Sequence, residues 1–207
     1  YFGEQSGWRT QLIPQTVITS KNRRMGRVYH GGISSYSKVK NDLKHCIQRG
    51  KPVTTMFDFF ALPNDFPGYE KAFKNQNDVD KVLALECALA DAVGYMCPEY
   101  RNDYFVPYFQ LHEFEALFFC DLSVLKQFYL SQEREIDWLM QAVEGMEPED
   151  INQGEETAPS KRLLNAVSYQ KGSAVVYPLQ AIGIDAMRDM CPHFSEWVDR
   201  LFEVAKL

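Results

Sequence analysis

The run Val53-Thr54-Thr55-Met56-Phe57-Asp58-Phe59-Phe60 constrains this chain more than any other stretch. It is β-branched and aromatic almost throughout, and it stops at a turn, Ala61-Leu62-Pro63-Asn64-Asp65-Phe66-Pro67-Gly68. A run of that kind bounded by Pro and Gly is the signature of a buried strand. Asp58 then falls near the strand's carboxyl end, where open α/β sheets bind their ligands. A lone acid in an apolar strand is a candidate metal ligand, because an ionised carboxylate among apolar neighbours needs a compensating charge.

The 207 residues suffice for one large domain or a domain with an appendage, and 45% hydrophobic content supports a packed core. The net charge of -6 argues against wrapping nucleic acid through bulk charge, since phosphate binding rests on Lys and Arg. A nucleic-acid role then needs a local patch, a metal or a partner. Five cysteines without a C-x-x-C pair do not suggest a disulfide framework, and reduced thiols in a cytoplasm fit them best. No segment approaches the roughly 20 apolar residues of a membrane span. The chain opens on Tyr1 rather than Met, and residues are expected upstream.

Along the chain, Leu12–Thr19 reads as extended, and the basic cluster Lys21-Asn22-Arg23-Arg24-Met25-Gly26-Arg27 follows as a loop that can touch phosphate or simply be solvated. Val39, Leu43, Cys46 and Ile47 predict an amphipathic helix between Ser37 and Arg49, with serines as N-caps and Gly50 as its stop. Asn77 or Asp78 can cap a second helix to about Gly94, with Val82, Leu83, Leu85, Leu89 and Val93 on its apolar face and Glu86 solvated. Phe105–Leu111 is a strand candidate that Pro107 confines to an edge, a bulge or a strand start. Beyond Asp121 the pattern is mostly helical, with Ser123 and Ser131 as caps and an acidic loop from Glu144 to Pro159. Phe194, Trp197, Val198, Leu201 and Phe202 predict a last helix behind Pro192, and Trp138 and Trp197 are assigned to the core.

His112-Glu113 lacks the second histidine of a zinc-protease helix, because Ala116 stands four residues on. Serine-hydrolase elbows and Gly-rich phosphate loops are absent from the sequence. What remains is a set of carboxylates, Asp58, Glu113 and Glu115, set among aromatic and aliphatic residues. Each glutamate suits either a hard cation or the N-terminal turn of a helix. Lys161-Arg162 and Tyr169-Gln170-Lys171-Gly172 are basic residues beside turn formers, a setting that can hold a cation against a phosphate.

The blocks Gly31-Gly32-Ile33-Ser34-Ser35-Tyr36, Thr54–Pro63, Phe66-Pro67-Gly68, Pro107–Leu117, Glu156–Arg162 and Cys191-Pro192-His193-Phe194 occur in this order along most of the chain. On them the chain resembles a bacterial domain-of-unknown-function family with a Toprim-like fold, related to the overcoming-lysogenization-defect nucleases and to RloB-like proteins. The resemblance implies an α/β, Toprim-like Rossmannoid sheet flanked by helices. Its core would cover residues 1–121, its first strand lying upstream of this chain, with a mainly helical part over 122–207. It implies a nuclease subunit in which Asp58 and Glu115 hold Mg²⁺ or Mn²⁺. Glu113 would stand with or in place of Glu115, and Lys171 would match a downstream catalytic lysine. Arg23, Arg24, Arg27, Lys161 and Arg162 are the candidates for phosphate or nucleic-acid contact.

The implied partners are an ABC-type or AAA-type ATPase and nucleic acid, DNA foremost, in antiphage defence or DNA processing, with no membrane and with self-association left open. Phe60 stands where such proteins carry the second acid of a D-x-D pair. That departure favours the alternative, a catalytically silent Toprim-like adaptor or regulatory subunit of an ATPase complex.

Overall fold

A computed structural model describes residues 11–17, 20–22, 27–29, 33–60, 62–151, 154–168 and 175–206. They form a mixed α/β, mostly helical structure in which the strands are short and paired two by two. The chain divides into two compact units. Unit 1 holds residues 1–57, 61–109 and 199–207, and unit 2 holds residues 58–60 and 110–198. Among the described residues no helix is long and apolar enough to cross a membrane.

In unit 1, β1 (Ser20–Asn22) and β2 (Arg27–Tyr29) pair antiparallel, Ser20 opposite Tyr29. The basic run expected as a loop therefore begins and ends in strands. Helix α1 (Tyr36–Ile47) buries Val39, Leu43 and Ile47, as the four-residue spacing predicts. Ser35 occupies its N-cap position, but the Ser35 hydroxyl pairs with that of Ser37. The first helical N–H, that of Tyr36, donates instead to both oxygens of Asp65, at 2.8 and 2.9 Å. Gly50, at φ +63, ends the helix with its N–H on the Ile47 carbonyl.

The apolar run splits into β3 (Val53–Thr54) and β4 (Phe57–Asp58), which pair with β5 (Phe105–Val106) and β6 (Phe109–Gln110) respectively. β3 and β5 run parallel, with Val53 opposite Phe105. The interruption has a side-chain cause. Tyr108 N–H donates to Thr55 Oγ1 at 2.9 Å, where a backbone carbonyl would continue the ladder, and Phe57 N–H then resumes the pairing on Tyr108 O. Pro107, expected at an edge or bulge, sits in this gap, with no N–H to leave unpaired.

Phe57, Phe66 and Phe109 pack edge to face with centroids 5.8 to 6.1 Å apart, so the turn after the strand anchors itself in the same core. From that turn the chain enters α2 (Tyr69–Ala72) through Gly68, at φ +75. A Cβ on Gly68 would lie 2.5 Å from the Cβ of Ala88. Both the left-handed backbone and the close approach demand glycine. Gly68→Ala is expected to lower stability by about 3 kcal/mol, measured as a shift in the urea midpoint.

Helix α3 (Asp78–Met96) is capped by Asn77, whose Oδ1 accepts Asp80 N–H at 2.7 Å. Val82, Leu85, Leu89 and Val93 are buried as expected, whereas Leu83 is exposed. Glu86 is not solvated. It is 5% exposed, and its Oε1 accepts Phe109 N–H at 3.0 Å. The carboxylate supplies a bond that a neighbouring strand would otherwise make.

Unit 2 is built from α4 (Glu133–Ala142), α5 (Pro159–Ala166), α6 (Val176–Ile182), α7 (Ile184–Met190), the first turns of α8 (Pro192–Ala205) and short 3-10 helices, with Leu111, Phe118, Leu125, Ile136, Ile151 and Leu163 at its core. The 3-10 helix Leu122–Gln127 is capped by Asp121, not by Ser123, since Asp121 Oδ1 accepts both the N–H and the hydroxyl of Ser123. Trp138 is 65% exposed on α4 and is not a core residue. In α8, Phe194 and Val198 are buried behind Pro192, in line with the predicted stripe.

Candidate functional site

The acids singled out from the sequence, Asp58, Glu113 and Glu115, all belong to unit 2. Residues 58–60 run beside residues 110–112, Phe59 N–H donating to Gln110 O at 2.9 Å and Phe60 N–H to His112 O at 2.7 Å. Both segments end here. His112 takes φ +63, the one non-glycine residue with positive φ among the described residues, and it is 4% exposed. A left-handed conformation costs a non-glycine residue about 1–2 kcal/mol, so it persists only where the surroundings impose it. Here the Phe60 N–H on one side and the start of the 3-10 helix Phe114–Cys120 on the other hold the kink.

The kink turns the chain from strand to helix within three residues, and the carboxylates respond to the new N–H groups. Asp58 Oδ1 accepts the N–H of Phe114, first residue of that 3-10 helix, at 2.8 Å. Glu113 occupies the helix's N-cap position without capping it. Its carboxylate crosses to α5, where Oε2 accepts Ser160 N–H and Oε1 accepts the Ser160 hydroxyl, both at 2.9 Å. Pro159 opens α5 and Ser160 follows it, so Glu113 neutralises the positive end of α5 where an anionic ligand would otherwise bind. Glu115 lies in the first turn of the 3-10 helix and is 3% exposed, while Asp58 is exposed.

Of the basic candidates, Lys161 and Arg162 follow Ser160 on α5. Lys161 is exposed, and Arg162 Nε donates to Thr157 O at 2.8 Å. Arg23, Arg24 and Lys171 lie outside the described residues, and so does the side chain of Arg27, the first residue of β2. The geometry thus brings together Asp58, the segment His112–Glu115 and the start of α5.

Among the described residues no three His, Cys, Asp or Glu side chains gather into a group able to hold a metal. Both Glu113 oxygens are engaged by Ser160. Asp58 Oδ1 accepts Phe114 N–H, and carboxylate oxygen is the donor type that a hard cation such as Mg²⁺ takes, with several waters kept.

Three features of the site were not visible in the sequence: the left-handed His112, the Glu113–Ser160 pair, and a further buried acid, Glu149. That acid is 7% exposed and accepts the N–H groups of His193 and Phe194, both at 3.0 Å, at the start of α8. Burial pushes its carboxyl above the usual glutamate range, against the opposing pull of those two N–H groups. Pro159 and Pro192 at the first positions of their helices were the local signals. The partner acids come from 47 and 44 residues away.

No curated protein and no solved structure matches the chain. A family model described as a domain of unknown function, DUF4276, matches residues 5–202. That match spans nearly the whole sequence, and the chain belongs to the DUF4276 family.

Proposed function

We propose that this chain is the hydrolytic subunit of a metal-dependent, phosphodiester-cleaving assembly with a Toprim-like core, in which Asp58 and Glu115 hold Mg²⁺ or Mn²⁺. The observation that carries the proposal is the position of Asp58 and the His112–Glu115 segment. They stand where two parallel segments end, next to a left-handed buried residue, and ligands of open α/β sheets bind at the carboxyl ends of the strands. A bound divalent ion supplies an activated water and neutralises charge on the scissile phosphate.

The chain's own residues supply the framework. Phe114 N–H orients Asp58, and Ser160 holds Glu113 so that the 3-10 helix bearing Glu115 starts from a fixed point. Lys161, on the same α5 turn as Ser160, is the described cation nearest in sequence to this cluster. Lys171, Arg23, Arg24 and Arg27 remain candidates for the substrate's phosphates. With a net charge of -6, loading of DNA or another nucleic acid is assigned to a partner ATPase.

A second reading is an adaptor subunit of the same assembly, without catalysis. It is favoured by the engagement of Asp58 and Glu113 as helix-capping acids, and by Phe60 in place of a second strand acid. Mg²⁺ and Mn²⁺ calorimetry on the wild type and on Asp58→Asn and Glu115→Gln separates the two. These isosteric changes keep the side-chain shape while removing charge. Saturable binding that is lost in both variants, together with metal-dependent cleavage lost in both, is the outcome expected of the hydrolase. Cleavage that persists in both variants sinks it, and an absence of metal binding in the wild type leaves the adaptor.

A further inference from the structure

We propose that Cys120 and Cys191 form a reversible dithiol–disulfide pair that locks the 3-10 helix Phe114–Cys120 to the start of α8. The two sulfurs are 3.5 Å apart, although 71 residues separate them in sequence, and both belong to unit 2. Both are free thiols. Cys191 is held by the backbone: its N–H donates to Met187 O at 2.9 Å, and its carbonyl accepts Ser195 N–H at 2.8 Å. One thiol is therefore fixed between α7 and α8, within reach of the last residue of the 3-10 helix.

The two thiols differ in access, and the surroundings of Cys191 act on its charge. Cys191 is fully buried, and Cys120 is half-buried. A helix N-terminus ordinarily favours the thiolate. At α8 the N–H groups of His193 and Phe194 are taken by Glu149, which brings a carboxylate instead. The hydrogen bond with Cys120, then burial, then the nearby thiol and carboxylates push the Cys191 thiol up. Cys191 thus stays protonated, and Cys120 is the sulfur that meets the oxidant.

With hydrogen peroxide as oxidant the chemistry balances. Cys120 Sγ attacks one peroxide oxygen, the O–O bond breaks, and Cys120 becomes a sulfenic acid as the first water leaves. Cys191 Sγ then displaces the sulfenic hydroxyl, the S–S bond forms, and the thiol proton departs with that hydroxyl as the second water. Two thiols lose two electrons in all, and the peroxide gains them. A small dithiol reverses the step by attacking Cys120, the accessible sulfur, which releases Cys191.

The lock would tie down the helix that carries Glu115 whether or not that residue holds a metal, so the inference stands apart from the hydrolase reading. The test treats the full chain with a slight excess of hydrogen peroxide, then counts free thiols after denaturation and maps the peptides. The count is expected to fall from five to three, with a single Cys120–Cys191 linkage that dithiothreitol reverses and Cys87→Ser leaves unchanged. Oxidised protein should melt about 10 °C higher than reduced, since the bridge closes a long loop.

Cys120→Ser, at the more exposed position, is expected to keep the fold and abolish the linkage. Five thiols remaining after treatment, overoxidation of a single cysteine, or a linkage through Cys46, Cys87 or Cys97 would each overturn the proposal.

Discussion

Glu113→Ala is expected to lower the stability of the protein by about 3 kcal/mol, the larger share of it from groups left behind. The carboxylate accepts two hydrogen bonds from one residue, the N–H and the hydroxyl of Ser160, in a place where both residues are buried. Hydrogen bonds to a charged acceptor contribute about 1.5–3 kcal/mol each, and a buried N–H without a partner costs about 1–3 kcal/mol. Alanine removes the acceptor and leaves the N–H at the first turn of α5 orphaned. Water can enter the space and recover part of the loss, which sets the figure near the middle of the range.

Two companion variants divide the effect. Ser160→Ala removes only the hydroxyl bond and should cost about 1.5 kcal/mol, the low end of that range. Asp58→Asn keeps an oxygen for Phe114 N–H on an exposed residue and should change stability by less than about 0.5 kcal/mol. Urea denaturation of the three variants checks the order. If Glu113→Ala unfolds at the wild-type midpoint, Glu113 is not the clamp described above, and a direct role at the site becomes the better account of its burial.

For Glu149→Ala a comparable loss, about 2–3 kcal/mol, is expected, because the N–H groups of His193 and Phe194 both depend on that one carboxylate. The pH behaviour gives this acid its own signature. Its folded carboxyl titrates above the reference value of 4.5, with burial as the largest cause. Between the unfolded and folded values the folded state binds more proton than the unfolded one, so stability falls as pH rises. The contribution is fully present below about pH 4.5 and is lost as pH rises through the folded value.

Glu149→Gln cannot ionise. It should flatten the part of the stability–pH curve above pH 4.5 that belongs to this residue, while being less stable than wild type at neutral pH, where one N–H meets an amide NH₂ instead of an oxygen. Urea midpoints at a series of pH values read both effects. A variant whose curve keeps the wild-type slope would show that the slope comes from other groups.

Among the elements, those with local rules were legible. Val39, Leu43 and Ile47 announced α1 because a 3.6-residue period puts them on one face, and the structure buries all three. Asn77 announced the start of α3 through its own side chain, which reaches an N–H three residues on. Pro107 announced a place without a ladder donor, and it lies between two strands. Glu86 and Glu149 escaped the same rules. Each sits in a sequence setting where a solvated acid is the commoner outcome, and each is buried because a backbone N–H from 23 to 45 residues away needs an acceptor.

The candidate site divides the same way. Asp58 was marked by its apolar strand, and the pair Glu113 and Glu115 by their aromatic neighbours. Their separate duties were not marked, because these depend on which N–H groups arrive from other elements. Ser160 carries no signal beyond following Pro159, and Cys120 and Cys191 show no spacing motif although their sulfurs are 3.5 Å apart.

By itself, then, the sequence determined the helices with an apolar period, the position of the central strand run and the set of acids worth attention, since those follow from side-chain periodicity and burial preference within a few residues. The tertiary structure decided which acids become helix caps, which strand edge Glu86 closes, how His112 is held left-handed and which thiols meet. Each of these depends on matching a donor with an acceptor, or one sulfur with another, across long stretches of chain, and only the packed fold brings those groups within bonding distance.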